Sequence, residues 1–216
     1  MFLSRFTINP ARRGARKLLG SPHAMHAAVL SAFPPPEESV AAPGRVLWRV
    51  DAAGHSVRLL VLSPESPDFT HLVEQAGWPT ADREPWQVRV YDELLDRIAR
   101  DQTWAFRLRA NPTRSDPRTH QRFAHVTAVQ QRDWLLRRAE ALGFEICVHD
   151  GEPSVVVADR ERRVFQRGDT SVTLVTVRYD GLLKVLDAEL FRTTLVAGIG
   201  PAKGYGCGLL TVVQPS

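Results

Sequence analysis

The chain has 216 residues, of which 44% are hydrophobic and 24% charged, and its formal net charge is +4. That length and apolar content can bury a core in one large domain or two small ones. No apolar run approaches the roughly 20 residues of a membrane-spanning helix. The first twenty residues mix arginines with polar residues where a secretory signal would carry an apolar block, so the expected location is the cytoplasm.

Phe2 to Ile8 alternates apolar and polar residues and predicts a strand. A basic loop follows. Ser21 and Pro22 then supply an N-cap with proline at the first helical position, which predicts a helix to about Phe33, stopped by Pro34, Pro35 and Pro36. Val46 to Val50 and Val57 to Leu62 flank Gly54 as a hairpin. Phe69 to Ala76 reads as a short helix ended by Gly77 and Pro79, and Trp86 to Tyr91 as a strand. The order is β-α-β-β-α-β, the pattern of a ferredoxin-like unit.

Trp104 to Arg109 is the next predicted strand, with arginines on one face and a stop at Asn111-Pro112. A helix is expected from Gln131 to Leu142, closed by Gly143. Strands are then expected at Phe144 to His149, Val155 to Val157 and Ser171 to Arg178, a helix from Asp187 to Val196, and a last strand from Leu209 to Val213. The same order therefore occurs twice. The expected architecture is α+β, with an N-terminal domain over residues 1–98 and a C-terminal domain over residues 99–216. Between Val157 and Val172 the sequence is too polar for a core strand and suits a projecting basic hairpin.

Of 28 basic residues only Lys17, Lys184 and Lys203 are lysine. Arginine's planar fork suits bidentate phosphate contacts and stacking on bases, although a coding bias would give the same composition. The cations cluster at Arg12 to Lys17, at Arg107 to Arg122 and at Arg160 to Arg167. This clustering predicts that the acids lie elsewhere and that the charge footprint is one-sided.

Cys147 and Cys207 show neither metal-ligand spacing nor a disulfide framework. No Gly-x-Ser-x-Gly elbow occurs, and the acids sit in polar loops and helix starts. Trp48, Trp86, Trp104 and Trp134 stand among apolar neighbours, as core residues do. His23 and His26 are three apart on the first predicted helix and share a face. His55, His71, His120, His125 and His149 are too scattered to complete a metal site with them. An imidazole that titrates near neutrality could move a proton to or from a reacting oxygen; a histidine with no task fits the spacing equally.

The segment from Ala197 to Thr211 sets Gly198, Gly200, Gly204, Gly206 and Gly208 around Lys203. It leads from a helix into a strand, the reverse of a dinucleotide-binding loop, and it lacks the Gly-Lys-Ser/Thr ending of a P-loop. Two readings stay open on spacing alone. One is an amide surface with a lysine for gripping phosphate, and the other is a helix C-cap followed by a turn.

Three blocks taken together resemble one family: Phe106-Arg-Leu-Arg-Ala-Asn-Pro112, Gln131-x-x-Trp134-Leu-x-x-Arg138-Ala, and Gly198 through Leu210. The chain is similar from end to end to the CRISPR-associated endoribonucleases of the CasE type. That resemblance implies two tandem ferredoxin-like units of the repeat-associated (RAMP) class and metal-independent cleavage of precursor CRISPR repeat RNA at the base of its stem-loop. It implies attack by the 2′-hydroxyl, with cyclic 2′,3′-phosphate and 5′-hydroxyl products. No cofactor is implied. The partners implied are precursor and mature CRISPR RNA and the other subunits of the Cascade complex. By resemblance His26 matches the catalytic histidine, and His23 stands where the family usually has a tyrosine. Lys203, with Gly200 and Gly204, matches a loop that contacts the RNA backbone. Arg160, Arg162, Arg163 and Arg167 fall on the hairpin that would engage the stem.

Overall fold

The computed structural model describes residues 1–34, 44–78, 84–119, 121–167 and 170–215, without the side chains of Arg167 and Thr170. The expected stops at Pro35, Pro36 and Pro79, and His120, lie outside the described residues. The chain divides into two compact units, Met1–Asp96 with Gly204–Gly206, and Arg97–Lys203 with Cys207–Ser216.

In the first unit the elements are β1 (Phe2–Ile8), α1 (Arg13–Gly20), α2 (Pro22–Leu30), β2 (Leu47–Ala53), β3 (Ser56–Ser63), α3 (Thr70–Ala76), β4 (Trp86–Val90) and α4 (Asp92–Arg97). The sheet order is β2-β3-β1-β4, and every neighbouring pair is antiparallel. This is the order a β-α-β-β-α-β chain takes in a ferredoxin-like fold. Period-2 alternation sends Phe6, Ile8, Val57, Leu59, Val61 and Trp48 to one face. There they bury against Ala15 and Leu18 of α1, Met25 and Val29 of α2, and Leu72 and Ala76 of α3.

The basic loop expected after β1 is instead the two-turn helix α1. Its sequence buries Ala15 and Leu18 fully and Leu19 in part, a signal too short to read as helical periodicity, and such a helix is held by packing more than by propensity. Arg12, counted above among the cations of a basic knot, has a structural task. Its guanidinium donates to the carbonyls of Val73 and Gly77, at 3.2 and 3.1 Å, and so closes the C-terminal end of α3.

The second unit contains β5 (Thr103–Ala110), β6 (Thr113–Ser115), β7 (Arg122–Ala124), α5 (Ala128–Ala139), β8 (Phe144–Ile146), β9 (Val148–His149), β10 (Glu152–Pro153), β11 (Val155–Arg167), β12 (Thr170–Val185), α6 (Ala188–Ala197) and β13 (Leu210–Val213). Its main sheet runs β11-β12-β5-β13, with β8 beside the far end of β12. The ferredoxin-like order is thus repeated, with β6–β7 and β9–β10 as small added hairpins. Trp134 stacks on Tyr179 at a centroid distance of 6.3 Å, and the Tyr179 hydroxyl donates to the Gln131 carbonyl at 2.7 Å. Trp48, Trp104 and Trp134 are buried, as their apolar neighbours predict.

Two strands are much longer than the sequence indicates. β12 continues past Arg178 through Asp180-Gly181, a pair that reads as a turn. Gly181 is there for space: a side-chain carbon on it would stand 2.2 Å from the Ser154 carbonyl oxygen, on the neighbouring chain segment. The polar segment after Val157 remains paired with β12 out to Arg167 opposite Thr170. A register irregularity lies between Ala158 and Glu161, where Asp159 takes φ +46°.

Candidate active site

Helix α2 begins as the sequence predicts. Ser21 accepts a hydrogen bond from the Ala24 amide at 3.2 Å, and Pro22 occupies the first turn. Met25 and Val29 turn inward, which leaves His23 exposed and His26 half-buried. The helix is also tied to α3, because His71 Nε2 donates to the Ala28 carbonyl at 2.8 Å. His26 thus stands on a helix fixed at its cap, along its core face and through its carbonyl edge.

Against the His26 ring lies the backbone of Gly204, within the same unit. A side-chain carbon at Gly204 would sit 3.3 Å from His26 Nε2 and 3.5 Å from Cε1. Two residues on, Gly206 packs on Trp48. It takes φ +79°, and a carbon added to it would approach Trp48 Cζ3 to 2.7 Å. Glycines 204 and 206 therefore let the chain approach α2 and β2 more closely than any other residue would. The neighbour of Gly204 is the histidine, a contact that spacing along the glycine segment does not reveal.

The remainder of the glycine segment belongs to the second unit. The amides of Gly198, Ile199 and Gly208 are spent on the carbonyls of Thr194, Gly208 and Arg109, at 2.8 to 2.9 Å. The cap-and-turn reading accounts for that part of the loop. Lys203 Nζ donates to the Ala197 carbonyl at 2.7 Å, at the C-terminal end of α6. Gly200, at φ +79°, lies against the Trp134 ring. Cys207 is completely buried, and burial pushes its thiol up to about 12, so it is held as a neutral side chain.

The hairpin arginines are not equivalent. Arg160 donates to the Val126 carbonyl at 2.6 Å, and Arg163 donates to Glu161 at 2.6 Å. Arg162 is exposed opposite Val175 and forms no ion pair among the described residues. For Arg167 only the backbone is described. The expectation that acids lie away from the basic clusters does not hold in this unit. Arg107 and Arg178 share Asp180, at 2.6 and 2.7 Å, Arg178 also pairs with Asp159, and Arg109 reaches Glu161 at 3.4 Å. Cross-strand register puts Arg107 opposite Asp180 and Arg109 opposite Arg178, so these charges meet only because β5 and β12 pair.

Sequence spacing gave no hint of the surroundings of His125. Its pKa is lowered, first by burial and then by Arg137, Arg114 and Arg138, with Asp133 opposing. The three guanidinium groups come from β6 and α5, and only the tertiary structure gathers them around one imidazole.

Two ferredoxin-like units in tandem, together with the glycine segment and the basic hairpin, define the repeat-associated (RAMP) class. More narrowly, the chain belongs to the CRISPR associated protein family, whose pattern matches residues 1–214, and within it to the CasE type. It is 29% identical over 218 residues to the CRISPR-associated endoribonuclease Cse3 of Thermus thermophilus, covering 98% of this chain and 99% of that one. It is 33% identical over 119 residues to the Cascade subunit CasE of Escherichia coli, across 50% of this chain and 56% of that one. The structure of Thermus thermophilus Cse3 bound to an RNA representing a pre-cleavage complex superimposes with a TM-score of 0.80 at 31% identity, over 99% of this chain and 98% of that one.

Proposed function

We propose that this chain is a metal-independent endoribonuclease that binds the stem-loop of CRISPR repeat RNA, cuts it once at the base of the stem, and stays with the product as a Cascade subunit. The observation that carries the reading is His26, held half-exposed on a capped helix against the bare backbone of Gly204, in a chain whose end-to-end relative is an endoribonuclease. The cytoplasm is the proposed location. No described helix is long and apolar enough to cross a membrane.

In the reaction the 2′-oxygen attacks the adjacent phosphorus, a 2′,3′-cyclic phosphate forms, and the 5′-oxygen leaves as a hydroxyl. One proton must leave the nucleophile and one must reach the leaving oxygen. His26 carries one of these transfers. His23, exposed one turn earlier on the same face, is the proposed second group, or a donor to the phosphate. Cations near the developing phosphorane lower its energy further. Lys203, with the backbone at Gly200 and Gly204, is proposed to contact the RNA backbone, and Arg160, Arg162, Arg163 and Arg167 to grip the stem. The deep major groove of A-form RNA hides base edges, so arginine contacts to phosphates and 2′-hydroxyls do most of the holding.

Incubation of the protein with its repeat RNA in EDTA tests this reading. One cut is expected, and a 2′-deoxy substitution at the scissile position should abolish it. His26→Ala should lose cleavage by at least about a hundredfold and retain binding. If the variant cuts like the wild type, or the wild type binds the hairpin without ever cutting it, the chain is a hairpin-binding subunit and not a nuclease. The histidine at position 23, in place of the expected tyrosine, makes that alternative worth the experiment.

A further inference from the structure

The first unit holds a pocket that the catalytic reading does not use. Its volume is about 430 Å³, and its walls include Arg5 from β1, Ser56 and Arg58 from β3, Gln87 from β4, and Trp78 and Glu84 from the segment that joins α3 to β4. Arg5 alternates along β1 with the buried residues Ser4 and Phe6, so it points away from the helix-covered face of the sheet. Gln87 stands opposite Arg5 in the register, and Arg5 Nη2 donates to Gln87 Oε1 at 2.6 Å. That bond leaves the amide nitrogen of Gln87 available to donate.

Arg58 is the cation without an assigned task. The acid opposite it on β2 is Asp51, and Arg49 already holds Asp51 at two points, both 2.8 Å. Arg58 is exposed and forms no ion pair among the described residues. Trp78 is 48% exposed, unlike the buried tryptophans of the two cores. Among the described residues the pocket therefore combines two guanidinium groups against one carboxylate, a hydroxyl, an amide donor and a half-open indole.

We infer that this pocket binds an unpaired nucleotide of the RNA, in the single strand that flanks the repeat stem-loop. The inference rests on the reading of the chain as a hairpin-RNA protein. An indole offers a platform for a base, and a guanidinium binds the adjoining phosphate. A base within a duplex has both faces stacked and cannot use Trp78, whereas an unpaired one can. The volume suits one nucleotide and excludes a stem. Ser56 and the Gln87 amide give a base or ribose edge its polar partners.

The test uses the full chain and two RNAs that carry 2′-deoxy at the scissile position: the repeat stem-loop alone, and the same stem-loop with about eight unpaired nucleotides attached. Wild type should bind the flanked RNA more tightly by on the order of tenfold. Arg58→Gln and Trp78→Ser should each lose most of that gain, while binding to the bare stem-loop, cleavage of its all-ribose form and the thermal midpoint stay unchanged. Arg58→Gln should also reduce the salt slope on flanked RNA by about one. A 5-iodouridine placed in the flank should crosslink to wild type and not to Trp78→Ser.

A wild type that binds the bare hairpin and gains nothing from the flank overturns the inference. Variants that weaken bare and flanked RNA equally overturn it too. If the variants keep the flank's gain and lose a partner subunit, the pocket is a protein-docking surface and the inference is wrong. Should wild type fail to bind the hairpin at all, the reading of the chain as a hairpin-RNA protein is the one that falls.

Discussion

Gly204 is not in the left-handed region, so backbone conformation does not forbid a side chain there; the obstacle is the imidazole of His26. With a methyl carbon 3.3 Å from Nε2, the ring would have to move by a few tenths of an ångström. Proton transfer depends steeply on the distance and angle between the imidazole and the reacting oxygen. Gly204→Ala is therefore expected to slow single-turnover cleavage by about tenfold, with RNA affinity and thermal midpoint close to wild type. An unchanged rate would mean that the ring has slack and that the close approach serves packing alone. Gly206 differs, since positive φ and contact with Trp48 both exclude a side chain, and its substitution would damage the fold before it reported on chemistry. At this scale the sequence showed a glycine-rich loop around Lys203, but spacing could not distinguish a glycine that faces an imidazole from one that faces a tryptophan.

Among the elements, α5 shows how local sequence sets a boundary that hydrophobic periodicity misses. The apolar pattern suggests a start at Gln131, yet the helix begins at Ala128 because Thr127 and Gln130 form a reciprocal capping box. The Thr127 hydroxyl accepts from the Gln130 amide at 3.2 Å, and the Gln130 side chain accepts from the Thr127 amide at 3.3 Å. Thr127→Ala should lower the stability of the second unit by about 1 kcal/mol, read as a shift in denaturant midpoint with no change in slope. A wild-type midpoint would show that packing of Trp134 and Leu135, both buried on α5, overrides the cap. The strand pair β11–β12 teaches the opposite lesson. Its outer half carries charge and little apolar surface, so pattern alone suggests a projecting basic hairpin without showing where its backbone pairing begins. Continuous pairing from the core strand carries the backbone hydrogen bonds outward. Arg109, Glu161 and Arg163 then form a chain of charges on one face, which no reading along a single strand reveals.

For the molecule as a whole, the cluster around His125 predicts a response to acid. Because burial and three nearby guanidinium groups lower its pKa in the folded state, the unfolded chain takes up a proton near the ordinary value of about 6.5 that the folded chain refuses. Stability from this group is thus level above that pH and declines as pH falls from there toward the depressed folded value. His125→Gln should flatten the profile of thermal midpoint against pH between about 7 and 5, and parallel profiles for variant and wild type would refute the assignment. The sequence by itself determined the class of fold, because alternation, helical spacing and turn residues are local and recur in the same order twice. It also determined the capped helix that carries His23 and His26, and three motif blocks specific enough to indicate the family. Tertiary structure alone decided that Gly204 lies against His26, that the arginines of β5 have acidic partners, that Arg58 has none among the described residues, and that three guanidinium groups come near enough to His125 to act on it. Each of these depends on which strands pair and which helices and loops pack together between residues far apart in the chain, and a pattern read along one segment does not contain that information.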